Sequence, residues 1–204
     1  MTSENKIIRA VKELVSAKGI AVAGIDGLGG AGKSTVSEDI CSGLEEAGVH
    51  TVLLHIDDFI HTRAIRYDAS RPDWECYYDL QWRYDYFREC VTKLRKGGET
   101  EIRLYDKDND TYFAEKYTAD TGTAVITEGI FLQRKELEGI FDYMIYMDIP
   151  KDVRLQRVLL RDTYIGNEKE ITAKYENRYF PAERHYFSEY HPDMNADICI
   201  GEKR

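Results

Sequence analysis

The sequence predicts an α/β fold, a doubly wound parallel sheet of five strands with helices on both faces. Three observations carry this expectation. The short runs Ile20–Ile25, Thr51–Ile56, Val125–Thr127, Tyr143–Met147 and Ile198–Ile200 are almost wholly apolar, the composition of strands covered on both faces. Stretches with apolar residues at helical spacing lie between them, and strands alternating with helices make βαβ units. Asp57-Asp58, Glu128 and Asp148 follow three of the runs, at the strand ends where open sheets of this kind bind ligands. A chain of 204 residues with 43% hydrophobic residues fits one domain over 1–204.

The first element is a helix, because Ile7, Ile8, Val11, Leu14 and Val15 recur at helical spacing between Lys6 and Ala17. After the strand Ile20–Ile25 comes a glycine-rich turn, then a helix over Ser34–Ala47 closed by Gly48. Thr51–Ile56 is followed by an excursion, residues 60–120, that interrupts the alternation. Its first part, Asp73–Lys96, carries Trp74, Tyr77, Tyr78, Trp82, Phe87, Val91 and Leu94 in one long helical pattern ending at Gly97-Gly98. Glu101–Ala119 reads as a hairpin around the polar turn Asp106–Asp110. Such an insertion lies over the sheet's C-terminal edge, where substrate-reading groups sit. Val125–Thr127 and Tyr143–Met147 are each expected to run into a helix, the second starting near Pro150. Residues 161–175 form a polar lid, and Ile198–Ile200 is the last strand.

Composition narrows the function classes. Lys and Arg number 28 against 37 Asp and Glu, a net charge of −9, which argues against nucleic acid or an anionic membrane as the main partner. No apolar run approaches the ~18 residues of a membrane span. Lys6, Arg9, Lys12 and Lys18 interrupt the first stretch, so no signal-peptide core is expected there. Cys41, Cys76, Cys90 and Cys199 are widely spaced, as reduced thiols of a cytoplasmic protein are, and the histidines lack metal spacing. The expected partner is a small molecule, and the sequence is compatible with a homo-oligomer.

The strongest local signal is Gly27-Leu28-Gly29-Gly30-Ala31-Gly32-Lys33-Ser34, a full G-x-x-x-x-G-K-[ST] match between a buried strand and a helix. Glycines let successive N–H groups curl around phosphates, and the helix N-terminus adds partial positive charge. The fold is therefore expected to be a P-loop NTPase, with Gly27, Gly29, Gly30, Ala31, Gly32, Lys33, Ser34 and Thr35 holding ATP. Lys33 is expected to reach the β- and γ-phosphates, and Ser34 to give its hydroxyl to Mg²⁺. Among the acidic strand ends, Asp57 is expected to accept a proton beside the phosphates. Glu128 reads equally as a magnesium-side carboxylate or a helix-start residue, and Asp148 as a helix cap. Arg154, Arg157 and Arg161 share a helix face. Arg154 reads as part of a solvated basic face, and Arg161, beside the lid, as a group that closes over the transferred phosphoryl. The 15 tyrosines cluster in Tyr67–Tyr86 and Tyr164–Tyr190, as base-stacking or half-buried helix faces do.

With these residues on the page, the chain resembles the uridine kinase and phosphoribulokinase group of P-loop kinases from Ile20 to Ile200. The group's strand-end D-x-F-Y signature is similar to Asp57-Asp58-Phe59-Ile60, which implies Asp57 as the catalytic base. Its hairpin Tyr-Asp is matched by Tyr105-Asp106, its Glu-Gly-Ile by Glu128-Gly129-Ile130, and its lid helix by Asp152–Asp162. Its ribose-binding segment is loosely matched around Tyr67-Asp68 and Pro72-Asp73. The resemblance implies an ATP- and Mg²⁺-dependent kinase acting on a hydroxyl of a nucleoside-like or other small acceptor. Lys33, Asp57 and Arg161 are the implied catalytic set. Asp57, Asp73, Tyr105, Asp110, Glu128 and Arg161 are implied at the acceptor, and Ser34 and Glu128 at the metal. The rival is a hydrolytic or regulatory P-loop NTPase with no small acceptor. Ile60 stands where uridine kinases carry Tyr, and Asp110 where they carry a pyrimidine-contacting His. A carboxylate there accepts hydrogen bonds only, so uridine and cytidine are expected to be poor acceptors, and compounds presenting donors to Asp110 good ones.

Overall fold

The computed structural model describes residues 2–201. Met1 and residues 202–204 of the predicted domain lie outside the described residues. Seven strands are described: β1 Ile20–Gly27, β2 His50–His55, β3 Gly98–Asp106, β4 Thr111–Ala119, β5 Thr123–Gly129, β6 Tyr143–Asp148 and β7 Ile198–Gly201. Five make the central sheet in the order β2-β5-β1-β6-β7, and every pair in it is parallel. The expected α/β doubly wound sheet is thus the observed one.

Alternation along β1 distributes side chains to the two faces. Ala21, Ala23 and Ile25 join Ile7, Val11 and Val15 of helix α1 (Ser3–Lys18) and Ile40 and Leu44 of helix α2 (Lys33–Glu46) in one core. Val22, with Val52, Leu54 and Val125, packs on the other face against Phe87, Val91 and Leu94 of helix α5 (Tyr84–Arg95) and against Tyr186. The sheet is covered on both sides, which is why its strands read as continuous apolar runs.

The excursion departs from expectation in one respect. Asp73–Lys96 is not one helix: α3 (Arg63–Arg66) and α4 (Asp73–Leu80) precede α5, with a break over residues 81–83. The break is filled by pairing with the chain that leaves β2. Ile60 and Trp82 form an antiparallel bridge, His61 N donates to Gln81 O at 2.9 Å and Arg83 N to Phe59 O at 2.8 Å. Backbone groups that a helix would satisfy internally are satisfied by this short ladder instead. Strands β3 and β4 form the expected hairpin, closed by Asp106, whose carboxylate accepts the N–H groups of Asp108 and Asn109.

No α-helix follows β5; a 3-10 turn, Lys135–Leu137, stands in its place. Ile130, Phe131 and Leu132 are all buried, leaving no polar face for a surface helix, and Phe131 takes a left-handed φ of 64°. After β6 come α6 (Lys151–Arg161), α7 (Glu168–Lys174), a π-helical turn Tyr175–Tyr179, α8 (Phe180–Tyr190) and α9 (Pro192–Asn195). Asn167 and Glu170 form a capping box that starts α7. Among the described residues, no helix is long and apolar enough to cross a membrane.

Candidate active site

β1 delivers the chain into the glycine-rich loop, and Lys33 opens α2 beyond it. Gly30 and Gly32 take φ of 81° and 92°, values that favour glycine. A Cβ on Gly30 would lie 2.8 Å from the carbonyl oxygen of Arg154, so the loop and α6 can meet only because that residue is glycine. Lys33 Nζ lies 3.4 Å from Leu28 O.

The loop is gripped from outside. Glu183 of α8 accepts the Gly29 N–H through Oε1 at 2.9 Å. Arg154 of α6 donates from Nη1 to the Gly29 carbonyl at 2.8 Å and to both Glu183 oxygens at 3.1 Å. Both backbone polar groups of Gly29 are thus held by a buried ion pair. Arg154 is 4% exposed, which corrects the expectation of a solvated basic face: the helix face it shares with Arg157 is turned onto the loop, where Arg157 Nη1 donates to Ala31 O at 3.1 Å. Burial raises the Glu183 pKa, opposed by Arg154. Below the loop, buried Asp26 accepts from Tyr186 Oη, Gly27 N and Gln133 Nε2.

The acidic strand ends separate by environment. Asp57 stands in the 3-10 turn Ile56–Asp58 that ends β2. Its side chain is open to the cleft while protein packs densely around it. That desolvation pushes its carboxyl above the ordinary aspartate range, opposed by Lys33, by the Trp82 indole and by Arg161. Glu128 ends β5 and is 7% exposed. Its Oε1 lies 2.7 Å from His55 Nδ1 and accepts from Ser34 Oγ at 3.1 Å. Burial works against its ionisation, but the His55 hydrogen bond and Lys33 outweigh it, and its pKa is lowered. Helix α6 starts after Pro150 with no side-chain cap, so Asp148 does not take the capping role expected of it.

One cleft of about 1120 Å³ is lined by Gly29, Gly30, Lys33, Ser34, Asp57, Glu128, Tyr105 and Arg161. The fold thus brings together the phosphate loop, two acidic strand ends, the hairpin and the end of α6. Arg161 lies at the cleft wall with its guanidinium on Asp162 Oδ1 at 2.7 Å, and Tyr175 Oη donates to the same carboxylate at 2.6 Å. Tyr67, Tyr77, Tyr164, Tyr175 and Tyr179 also line it, whereas Tyr78, Tyr84 and Tyr186 belong to the core.

Two residues expected at the acceptor are engaged elsewhere. Asp110 is not among the lining residues. Its Oδ1 accepts Arg63 N at 2.9 Å and Tyr105 Oη at 2.7 Å, so the carboxylate closes the hairpin tip onto α3 instead of facing an acceptor. Asp73 is paired with Arg178 at the start of α4. The charged lining residues that the sequence does not single out are Arg63, Arg66, Lys107, Lys174, Arg178 and Glu183. None carries a local motif, and a position inside the excursion or the Tyr164–Tyr190 segment was the only signal.

The pair Ser34–Glu128 fits magnesium. Among the described residues, no group of three or more His, Cys, Asp or Glu is placed to hold a metal, and Mg²⁺ at nucleotide sites takes one or two protein groups plus phosphate oxygens and water. A serine hydroxyl beside an ionised carboxylate at the foot of the phosphate loop is such a donor set.

Comparison with known proteins agrees with this architecture. The Phosphoribulokinase / Uridine kinase family model matches residues 20–200. A uridine kinase of Staphylococcus haemolyticus is 34% identical over 149 residues, covering 70% of this chain and 68% of that protein. One from Staphylococcus aureus is 31% identical over 151 residues, covering 72% and 70%. A solved structure described as a possible uridine kinase from Bacillus stearothermophilus superposes with a TM-score of 0.75 at 28% identity, covering 98% of this chain and all of that one. The chain belongs to the Phosphoribulokinase / Uridine kinase family and is an ATP-dependent phosphotransferase.

Proposed function

We propose that this enzyme, with Mg²⁺, transfers the γ-phosphoryl group of ATP to a hydroxyl of a small acceptor, nucleoside-like or otherwise. The observation that carries the reading is Asp57. Its carboxylate stands at the end of β2 in the same cleft as Lys33 and Arg161, and that cleft extends under the hairpin, leaving room for an acceptor beside the phosphates. Lys33 and the loop N–H groups bind the β- and γ-phosphates. Mg²⁺ would neutralise phosphate charge when bound, and Ser34 and Glu128 would hold it.

Asp57 accepts the acceptor's hydroxyl proton on a carboxylate oxygen, and its raised pKa brings it closer to the working pH, where a general base is most efficient. Arg161 stabilises the charge that spreads over the transferred group. Residues 161–175 serve as a lid, its two ends joined by the Tyr175 hydroxyl on Asp162, and residues 60–120 form the acceptor-binding excursion. Such transfer needs positioning and electrostatics more than covalent chemistry. The four free cysteines, Cys76 and Cys90 of them buried, support a reducing, cytoplasmic setting. The test is ADP formation from Mg-ATP with and without small hydroxyl compounds. Stimulation by an acceptor supports the reading; turnover that no acceptor changes favours hydrolysis.

A further inference from the structure

Two buried arginines line the acceptor half of the cleft, and they are partnered differently. Arg178, 3% exposed, is paired with Asp73. Arg66, 8% exposed, makes no ion pair among the described residues. Its Nη2 donates to the Tyr105 hydroxyl at 2.9 Å, its Nε is buried without a hydrogen-bond partner, and its guanidinium carbon lies 5.6 and 5.0 Å from the Tyr67 and Tyr105 ring centroids. The single proton of the Tyr105 hydroxyl is used, since it donates to Asp110 at 2.7 Å. Asp110 in turn holds the backbone N–H of Arg63. One carboxylate therefore stands behind two arginines, and it reaches Arg66 only through a tyrosine.

Arg63 is exposed and its guanidinium donates to the Lys107 carbonyl at 2.9 Å, so the buried charge to be met is that of Arg66. The Asp106 carboxylate is aimed into its own turn by N–H groups of Asp108 and Asn109, and among the described residues Arg66 has no carboxylate in direct contact. A guanidinium withdrawn from water calls for a counter-charge. Its planar fork of donors matches the oxygens of a carboxylate or a phosphate.

We propose that Arg66 anchors an anion subsite, so that the acceptor is a small hydroxy compound bearing a carboxylate or phosphate, held there while its hydroxyl faces Asp57. This rests on the kinase reading above and gives it a substrate class. It also reverses the polarity expected from the sequence: the acceptor presents hydrogen-bond acceptors, not donors, to this wall.

The test uses wild-type enzyme with Mg-ATP and a small-molecule metabolite extract divided by anion exchange. Acceptor-stimulated ADP formation is expected in the retained fraction. Phosphatase pretreatment of that fraction distinguishes the two sources: loss of stimulation identifies a phosphomonoester, and survival a carboxylate. Arg66→Gln should raise KM for the active fraction at least tenfold with kcat nearly unchanged, and Arg66→Lys should recover part of that loss. Stimulation confined to the unretained fraction overturns the proposal. So does efficient turnover of uridine with a KM that Arg66→Gln leaves alone, and in both cases the kinase reading stands. If neither fraction raises ADP formation above a Lys33→Ala control, the kinase reading falls and the anion subsite with it.

Discussion

Asp57 and Glu128 are carboxylates in one cleft whose environments push them in opposite directions. Dense packing raises Asp57, while the His55 hydrogen bond and Lys33 lower Glu128 against its burial. Divergent pKa values in one site suit divided labour, and the proposed mechanism uses them so: the raised group takes the proton and the lowered one stays ionised on the magnesium side. Because Asp57 must be deprotonated to act as base, kcat/KM should fall as pH drops through its raised pKa, placing the acidic limb above the ~4 of an ordinary aspartate. A pH–rate profile checks this, and Asp57→Asn should abolish that limb with a loss in kcat of roughly 10²–10⁴-fold. Lys33, Ser34 and Asp57 were legible in the sequence because a contiguous motif and a strand end fix where each side chain stands. Asp110 was not, since its left-handed φ of 50° and its bond to Tyr105 turn it away from the cleft, and neither follows from the letters Asp106 to Asp110.

At the scale of elements, the phosphate loop depends on α6 and α8 as much as on its own glycines. Arg154 and Glu183 stand far apart in sequence, yet together they hold the N–H and the carbonyl of Gly29. Removing one partner of a buried pair leaves the other uncompensated, a cost of roughly 3–5 kcal/mol. Arg154→Ala should therefore lower Tm by about 6–20 °C, at ~2–4 °C per kcal/mol for a domain of this size. It should also raise KM for ATP, because the loop N–H groups lose their fixed aim. Arg154→Leu combined with Glu183→Leu should recover part of the lost stability, since no isolated charge remains, but not the ATP affinity. Differential scanning calorimetry and nucleotide titration separate the two effects. This coupling was invisible in the sequence, where Arg154 reads as one of three arginines on a polar helix face. The break at residues 81–83 was hidden for the same reason: the apolar spacing of Asp73–Lys96 runs through it, and only pairing with Phe59–His61 interrupts the helix.

For the whole molecule, the sheet order β2-β5-β1-β6-β7 sets the ends of β2 and β5 beside the phosphate loop, which is how residues from distant stretches meet in one cleft. That much followed from the alternation of buried strands and helices, because parallel strands with crossovers on both faces have few arrangements. The cleft wall of Arg66, Tyr105 and Arg178 did not, since these residues are brought together by α3, the hairpin and the π-helical turn, none of which has a fixed place in that scheme. Nucleotide should stabilise the folded chain by linkage: Mg-ATP at ~100 times its Kd adds about 2.7 kcal/mol, a Tm rise of roughly 5–11 °C that Lys33→Ala should largely remove. The central claim, transfer to an acceptor with Asp57 as base, is tested most directly by acceptor-stimulated ADP formation in wild type and Asp57→Asn at matched Mg-ATP saturation. Strong stimulation in the wild type and almost none in Asp57→Asn, with ATP affinity kept within a few-fold, is the predicted result. Turnover that ignores the acceptor, or equal stimulation in both proteins, would contradict it.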